Sequence, residues 1–224
     1  MFNLTTFFKP KTILVKLLNK TAPATALATA LAALTVCANL YAAPQKPPVA
    51  SDQNQLTVVE LYTSQGCSSC PPADALLGEL ANQPNILALS FHVDYWDYIG
   101  WKDPYALKSG TKRQRTYAEQ LALRYVYTPQ IIVGGSLEVV GSNRKEVRNC
   151  LKAVNTKIDQ APQIQVKKLN ATTVQLPQTG LTKPLEIWHV HYTPYTQNNV
   201  LRGENRGKKL SHHNSVRAFE KVGV

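Results

Sequence analysis

The sequence predicts an α/β protein with a mixed central sheet and flanking helices, and two observations predict it. Apolar runs typical of buried strands alternate with amphipathic stretches of helical period between residues 56 and 160. A Cys-x-x-Cys pair, Cys67 and Cys70, follows the first apolar run and stands directly before Pro71, a residue typical of helix starts. The predicted order is strand, helix, strand, helix, hairpin and helix, which implies a partly parallel sheet.

The first half of this pattern predicts two strands around one helix. The apolar run Leu56–Tyr62 predicts a buried strand, and residues 72–82 predict a helix with its leucines on one face. The run Ile86–Val93 predicts the second strand, and a loop rich in aromatic residues and aspartate follows at residues 94–104.

The second half predicts a helix, a hairpin and a further helix. Thr111 and Gln114 have the spacing of a capping box, which predicts a helix start. Pro129 precedes an apolar strand, and Gly134-Gly135 predicts the turn into Leu137–Val140. A capped helix is expected from about residue 143, and Cys150 lies on its apolar stripe, which predicts a buried core cysteine.

Residues 161–224 predict a small β-rich appendage, because their polar and apolar residues alternate between turn formers. The predicted strands are Gln163–Leu169, Thr172–Leu176 and Leu185–Tyr192. The basic stretch Leu210–Val224 is expected either to pair with the last of these strands or to lie loose.

The N-terminal 42 residues have the pattern of a secretory signal peptide. Four lysines and no acid precede an uncharged stretch rich in alanine, which ends in small residues; an uncleaved membrane anchor and lipidation at Cys37 are the alternatives. Residues 43–55 read as a flexible lead-in. The signal predicts a bacterial periplasmic or secreted protein, in a compartment where disulfides persist.

The charge of the chain gives limited information about partners. The formal net charge is +11, and removal of the 4 signal-peptide lysines leaves +7. Much of the excess lies along Lys102–Arg124 and Arg202–Arg217, which are expected to form solvated basic faces. An exported protein is not expected to bind nucleic acid. After signal cleavage no stable membrane span is expected either.

Several longer motifs in the same order resemble the DUF1223 family of secreted thioredoxin-like proteins. The segments that carry the resemblance are Val59–Asp74, Phe91–Pro104, Arg113–Arg115, Tyr127–Gln130, Arg202–Asn205 and His212–Asn214. The resemblance implies a thioredoxin-like fold, with the β appendage added after residue 160. Members of the family continue through further strands, so an appendage that stops at Val224 is expected to be truncated or open-edged.

The thioredoxin-like resemblance also implies which residues form a site. It brings Cys67, Cys70 and Pro129 to one end of the sheet, with Cys67 as the exposed nucleophile and Cys70 as the buried resolving thiol. Pro129 would follow a cis peptide bond, and the backbone of Thr128 would bind a substrate peptide.

Three further positions are candidates for the same site. Glu60 is expected to accept a proton from the resolving thiol, or else to lie on a solvated strand face. His92 is a structural histidine, or the third ligand of a copper or zinc site with the two cysteines. Trp96 and Trp101 either grip a substrate or pack within their loop.

The favoured function is that of a thiol–disulfide oxidoreductase without a cofactor. Its expected partners are thiols or disulfides of cell-envelope proteins and an unidentified redox partner. One alternative is a copper metallochaperone that uses Cys67, Cys70 and His92, and another is a non-catalytic binding module with a structural disulfide.

Overall fold

The computed structural model describes residues 12–15, 56–158, 167–170, 173–175 and 185–223. Its helices are α1 (Pro71–Ala81), α2 (Lys108–Gln120) and α3 (Arg144–Ile158), with a short 3-10 helix at Asp97–Ile99. Its strands are β1 (Thr12–Val15), β2 (Thr57–Thr63), β3 (Ile86–His92), β4 (Gln130–Val133), β5 (Leu137–Val140), β6 (Lys167–Lys168), β7 (Val174–Gln175), β8 (Ile187–Asn199) and β9 (Lys209–Gly223).

The strand order confirms the predicted thioredoxin-like fold. In the described part of the chain, one sheet has the order β1-β8-β9-β3-β2-β4-β5. Strand β2 pairs in parallel with β3 and antiparallel with β4, which forms a hairpin with β5. The arrangement puts the start of α1, which follows β2, at the same end of the sheet as the loop after β3.

Apolar side chains fill both faces of this sheet. One cluster packs α1 and α3 on the sheet through residues such as Leu77, Val147 and Val59. The other lies on the opposite face, where Tyr117 of α2 packs against Tyr62. Adjacent residues of β2 therefore face different layers, and this alternation decides what Glu60 can reach.

The C-terminal strands extend the central sheet and do not form a separate appendage. Strand β8 pairs antiparallel with β9, which confirms the predicted pairing, and β9 lies beside β3 in parallel through Ser90 and Ser215. The division expected at residue 160 is therefore wrong for these two strands. This pairing matters because β9 covers an edge of β3 whose backbone N–H and C=O groups would otherwise lack partners.

Parts of the predicted N-terminal and C-terminal segments lie outside the described residues. Of the segment predicted to be a signal peptide, the structure describes residues 12–15, where β1 pairs in parallel with β8. The predicted lead-in 43–55 lies outside the described residues. Of the predicted strands Gln163–Leu169 and Thr172–Leu176, the structure describes the short pair β6 and β7. Among the described residues, no helix has both the length and the apolar character needed to cross a membrane.

Helix α2 begins earlier than the capping box predicted. Its first residue is Lys108, and the N–H of Thr111 already donates to the carbonyl of Leu107. The Thr111 hydroxyl does not cap the helix, because it donates to the Asp94 carboxylate at 2.6 Å. Thr111 instead fastens the aromatic loop to α2.

Cys150 is half-buried, so its prediction as a buried core residue is wrong. The residue packs at the margin of the α1–α3 cluster and has no disulfide partner. Burial, together with Glu146 and Glu138, raises the pKa of its thiol. We expect Cys150 to be modified by iodoacetamide in the native, oxidised protein, more slowly than a free cysteine, and mass spectrometry of the digested protein would locate the label. Complete protection in the native state would contradict the observed exposure.

Candidate functional site

The Cys67–Cys70 pair forms a disulfide at the start of α1, with the two Cα atoms 5.4 Å apart. Cys70 directly precedes the helix, and its carbonyl accepts the N–H groups of Ala73 at 2.9 Å and Asp74 at 3.1 Å. The unpaired N–H groups and the dipole of a helix N-terminus favour negative charge. A thiolate released at this position is therefore stabilised by the helix.

Both sulfur-bearing residues are buried, which corrects the expectation of an exposed Cys67. Cys67 is 1% exposed and Cys70 is 0% exposed, whereas Ser68 and Ser69 between them are exposed. The thioredoxin-like portion alone would leave the pair at the end of the sheet, so another part of the chain must cover it.

The cover is the loop between β8 and β9, residues 200–208, which we call the covering loop. The Asn205 amide, fully buried, donates to the carbonyl of Cys67 at 2.8 Å and to that of Gln65 at 2.9 Å. The Glu204 carboxylate accepts the Ser68 N–H at 3.1 Å. These bonds hold the covering loop against the backbone of the disulfide loop.

Pro129 lies near the first turn of α1, and the Thr128–Pro129 peptide bond is cis, as expected. Gly141 shows how closely the elements approach. A Cβ added at Gly141 would lie 3.1 Å from the Cβ of Ala73 and 3.2 Å from the Cβ of Pro129. The proline, the hairpin and the helix start therefore meet at one place, as the resemblance implied.

The two tryptophans fasten the aromatic loop to this site. The Trp96 indole N–H donates to the Thr128 hydroxyl at 2.7 Å, and the Trp101 indole N–H donates to the side-chain oxygen of Gln65 at 3.0 Å. Both rings are half-buried. Contact of Trp96, Trp101 and Thr128 with a substrate remains a prediction.

Glu60 lies on the opposite face of the sheet, so its assignment as proton acceptor for the resolving thiol is wrong. Its neighbours Val59 and Leu61 pack in the α1–α3 cluster, whereas Glu60 contacts Arg113 at 2.6 and 2.8 Å and the hydroxyl of Tyr117 at 2.8 Å. Burial raises the pKa of this carboxyl, but Arg113 and the hydroxyl donors outweigh it and lower the pKa overall. Glu60 is therefore a buried anion in a structural ion pair, not a proton acceptor.

The face that carries the cysteines has its own buried polar cluster, formed by Gln65, Asp74, His92, Asp103 and His212. His92 Nδ1 lies 2.7 Å from Asp103 Oδ2, which also accepts the backbone N–H of Gln65 at 2.8 Å. His212 lies 3.1 Å from the Gln65 amide and 3.4 Å from Asp74. The rings of His92 and His212 meet edge to face with centroids 4.5 Å apart.

The Asp103 carboxylate in this buried polar cluster is ionised. Burial by itself raises the Asp103 pKa, but His92 and the N–H groups of Gln65 and Tyr105 outweigh that effect and lower the pKa. Asp103 is therefore an anion at neutral pH, and it accepts hydrogen bonds without donating any.

The model of the family described as a protein of unknown function (DUF1223) matches residues 58–224. The chain belongs to the DUF1223 family. A crystal structure of a protein from Agrobacterium tumefaciens, determined by the Northeast Structural Genomics Consortium, is similar at 33% sequence identity with a TM-score of 0.64. The similarity covers 77% of this chain and 75% of that chain. No curated protein matches the sequence.

Sequence reasoning missed most of the buried polar cluster of this DUF1223 protein, although its residues lie in the segments that carried the resemblance. Gln65 and Asp74 belong to the first segment and Asp103 to the second. Asn205 and His212 belong to the two C-terminal segments. Polar residues within those segments were the available signal, but their meeting depends on β9 joining the sheet beside β3.

The copper-site alternative gains no support from the arrangement of this DUF1223 site. Among the described residues, no group of three or more histidine, cysteine, aspartate and glutamate side chains is placed to hold a metal ion. The two cysteines are bonded to each other, and His92 Nδ1 faces Asp103.

Proposed function

We propose that this DUF1223 protein is a thiol–disulfide oxidoreductase that works through the Cys67–Cys70 pair. The observation that carries the proposal is the position of that disulfide at the start of α1, above a buried cluster of ionisable side chains. A helix start stabilises the thiolate that leaves when the disulfide opens, and a buried ionisable group can exchange the accompanying proton.

The two cysteines take different roles in this proposal. Cys67 borders the exposed Ser68 and Ser69, and its sulfur lies 3.4 Å from the Ser69 hydroxyl. A partner thiolate would attack Cys67 from that side once the covering loop moves. Cys70, at the buried helix start, would leave as the thiolate and later attack the mixed disulfide.

We also propose that the protein is exported and acts on thiols or disulfides of cell-envelope proteins. The support for this part is the signal-like N-terminal sequence. An oxidising compartment would keep the pair in its disulfide form between reaction cycles.

A non-catalytic module with a structural disulfide is the second candidate, and the burial of both cysteines favours it. The reduction potential of the pair separates the two. A redox-active pair has a potential between about −120 and −270 mV, whereas a structural disulfide lies below about −300 mV.

The test uses the full chain with Cys37→Ser and Cys150→Ser, so that the Cys67–Cys70 pair supplies the only thiols. We expect a potential in the catalytic range by equilibration with glutathione or dithiothreitol, and turnover in the reduction of insulin disulfides. Cys67→Ser and Cys70→Ser should each abolish turnover, because each removes one sulfur of the exchanging pair. A potential below about −300 mV without turnover would assign the disulfide a structural role.

A further inference from the structure

We propose that the exposed surface around the disulfide binds an extended, unfolded segment of a partner protein that carries apolar and acidic side chains. The inference rests on the proposed function and names the class of substrate for the Cys67–Cys70 pair. Two large apolar side chains on this surface, Tyr98 and Leu201, are 81% and 68% exposed. A partner that covers both would remove apolar area from water, which favours binding.

Tyr98 is held beside the disulfide loop by its neighbour Ile99. Both residues belong to the short 3-10 helix of the aromatic loop. A Cβ added at Gly66 would lie 3.3 Å from Cδ1 of Ile99 and 3.1 Å from the Cβ of Trp96. Because Gly66 directly precedes Cys67, the 3-10 helix packs on the disulfide loop itself.

Leu201 reaches the same place from the covering loop. A Cβ added at Gly203, two residues after Leu201, would lie 3.8 Å from Cδ1 of Ile99 and 3.2 Å from the Cβ of Trp101. The aromatic loop and the covering loop therefore touch each other, and the exposed apolar side chain of each lies near the disulfide. We call the surface formed by Ser68, Ser69, Tyr98, Leu201 and Arg202 the rim.

The covering loop gives the rim a positive charge. Residues 200–208 carry three cations, Arg202, Arg206 and Lys208, and one acid, Glu204, so the formal charge is 3 − 1 = +2. The Glu204 carboxylate already accepts the Ser68 N–H, and Lys208 already donates to a side chain of the loop. Arg202 and Arg206 are exposed, and neither forms an ion pair among the described residues. Their guanidinium groups are available to the carboxylates of a partner.

The aspartates of the aromatic loop are engaged within the protein. Asp94 accepts the Thr111 hydroxyl at 2.6 Å, and Asp97 accepts the backbone N–H of Asp103 at 3.1 Å. Asp103 itself is buried, whereas Lys102 in the same loop is exposed. The charges most accessible to a partner on both loops are therefore mainly positive, which favours acidic residues in the bound segment.

The shape of the site favours an extended segment over a folded surface. Folded proteins bury most of their large apolar side chains, so an unfolded segment is the form that offers them to Tyr98 and Leu201. Cys67 is 1% exposed, and a bound segment that contacts Leu201 and Arg202 contacts the covering loop, which must move before Cys67 can react. Binding at the rim therefore acts directly on the element that limits access to the sulfur. An anionic lipid surface also offers apolar and acidic groups, but it carries no thiol or disulfide for the pair to exchange with.

The test measures peptide binding to the full chain in its disulfide form by fluorescence anisotropy. The probe is a fluorescein-labelled, unstructured peptide of leucine, phenylalanine, glutamate and serine without cysteine. One matched peptide has lysine in place of every glutamate, and another has serine in place of every apolar residue. We expect the acidic, apolar peptide to bind on the order of tenfold more tightly than either matched peptide.

Variants of the rim locate the binding. Tyr98→Ser and Leu201→Ser should each weaken binding of the acidic, apolar peptide by about threefold to tenfold, because each removes apolar contact area. Arg202→Gln should weaken binding of that peptide and leave binding of the lysine peptide no weaker. The matched controls are Val222→Ser, which changes an exposed residue at the opposite end of β9, and Arg148→Gln, which changes an exposed residue of α3. Both controls should bind as the wild type does.

Equal affinity for the three peptides, or equal effects of the rim and control variants, would overturn the proposal. Sedimentation with phosphatidylglycerol vesicles tests the lipid surface. Vesicle binding that depends on Tyr98 and Leu201, without peptide binding, would assign the rim to a membrane and also overturn the proposal. Because binding is measured on the disulfide form, absence of insulin turnover would refute the proposed function and leave the binding result intact.

Discussion

Arg113→Met is expected to lower the free energy of unfolding by about 3–5 kcal/mol, because it leaves a buried carboxylate without its partner. Glu60 is 2% exposed and is bound by the guanidinium of Arg113 at 2.6 and 2.8 Å. The same guanidinium lies 5.4 Å from the centroid of the Trp188 ring and 5.7 Å from that of Phe219. Arg113 thus joins α2 and β2 to the C-terminal strands, and its loss should loosen all three.

A double variant separates two causes of the lost stability, the unpaired Glu60 carboxylate and the lost packing of the Arg113 side chain. Glu60→Gln combined with Arg113→Met removes both charges. The hydroxyls of Tyr62 and Tyr117 donate to different oxygens of Glu60, so the glutamine oxygen can accept one of them and its amide can donate to the other. We expect the double variant to recover about half of the lost stability. Urea unfolding of the single and double variants measures the difference in their free energies of unfolding. If Arg113→Met lowered the free energy of unfolding by less than about 1 kcal/mol, the buried Glu60 carboxylate would not depend on Arg113 for its stability.

The Glu60–Arg113 ion pair should also make the stability of the folded protein depend on pH. The pKa of Glu60 in the folded protein lies below its ordinary value of 4.5. The unfolded chain therefore binds this proton at a higher pH than the folded chain does. The stability from the pair is present above about pH 4.5 and is lost as pH falls through the folded pKa. Arg113→Met should reverse this dependence, because burial without Arg113 raises the Glu60 pKa, so the variant should become more stable as pH falls. Urea unfolding of both proteins between pH 3 and 6 would show the opposite signs.

The helices and strands of the thioredoxin-like region could be predicted because short, contiguous stretches of sequence carry their hydrophobic patterns. The apolar runs of β2 and β3, the turn of β4 to β5 and the stripe of α3 all show their period within a dozen residues. The place of Glu60 could not be predicted in the same way. Every residue of β2 except Val58 is buried, so hydrophobicity does not reveal which residues face α1 and which face α2.

The rest of the site depends on contacts between distant parts of the chain. Asn205 contacts Cys67 across 138 residues, and His212 contacts Asp74 across the same separation. Such contacts exist because β9 pairs with β3, and alternation within residues 161–224 predicted strands without predicting their neighbour. A lone histidine or asparagine carries no local signal of a partner that far away.

Asn205→Ala is expected to speed reduction of the Cys67–Cys70 disulfide by about tenfold to a hundredfold, by opening the covering loop. The variant loses the two bonds from the Asn205 amide to the carbonyls of Gln65 and Cys67, and leaves Lys208 without the Asn205 oxygen it binds at 2.9 Å. The buried Gln65 carbonyl is left unpaired, at a cost of about 1–3 kcal/mol, whereas the Cys67 carbonyl keeps the Cys70 N–H at 3.2 Å. The free energy that favours the closed loop over the open one is therefore reduced. A tenfold change corresponds to about 1.4 kcal/mol of that loss.

Asn199→Ala is the matched control, because Asn199 is an exposed asparagine in the same hairpin, where it pairs with Lys209. Reduction by dithiothreitol is followed under native conditions, and urea unfolding of each oxidised variant shows whether the effect is local. The control should reduce at the wild-type rate. Equal rates in Asn205→Ala and wild type would mean that access to Cys67 does not depend on the covering loop. Faster reduction with a small change in unfolding would instead identify residues 200–208 as the part of the fold that limits access to the disulfide.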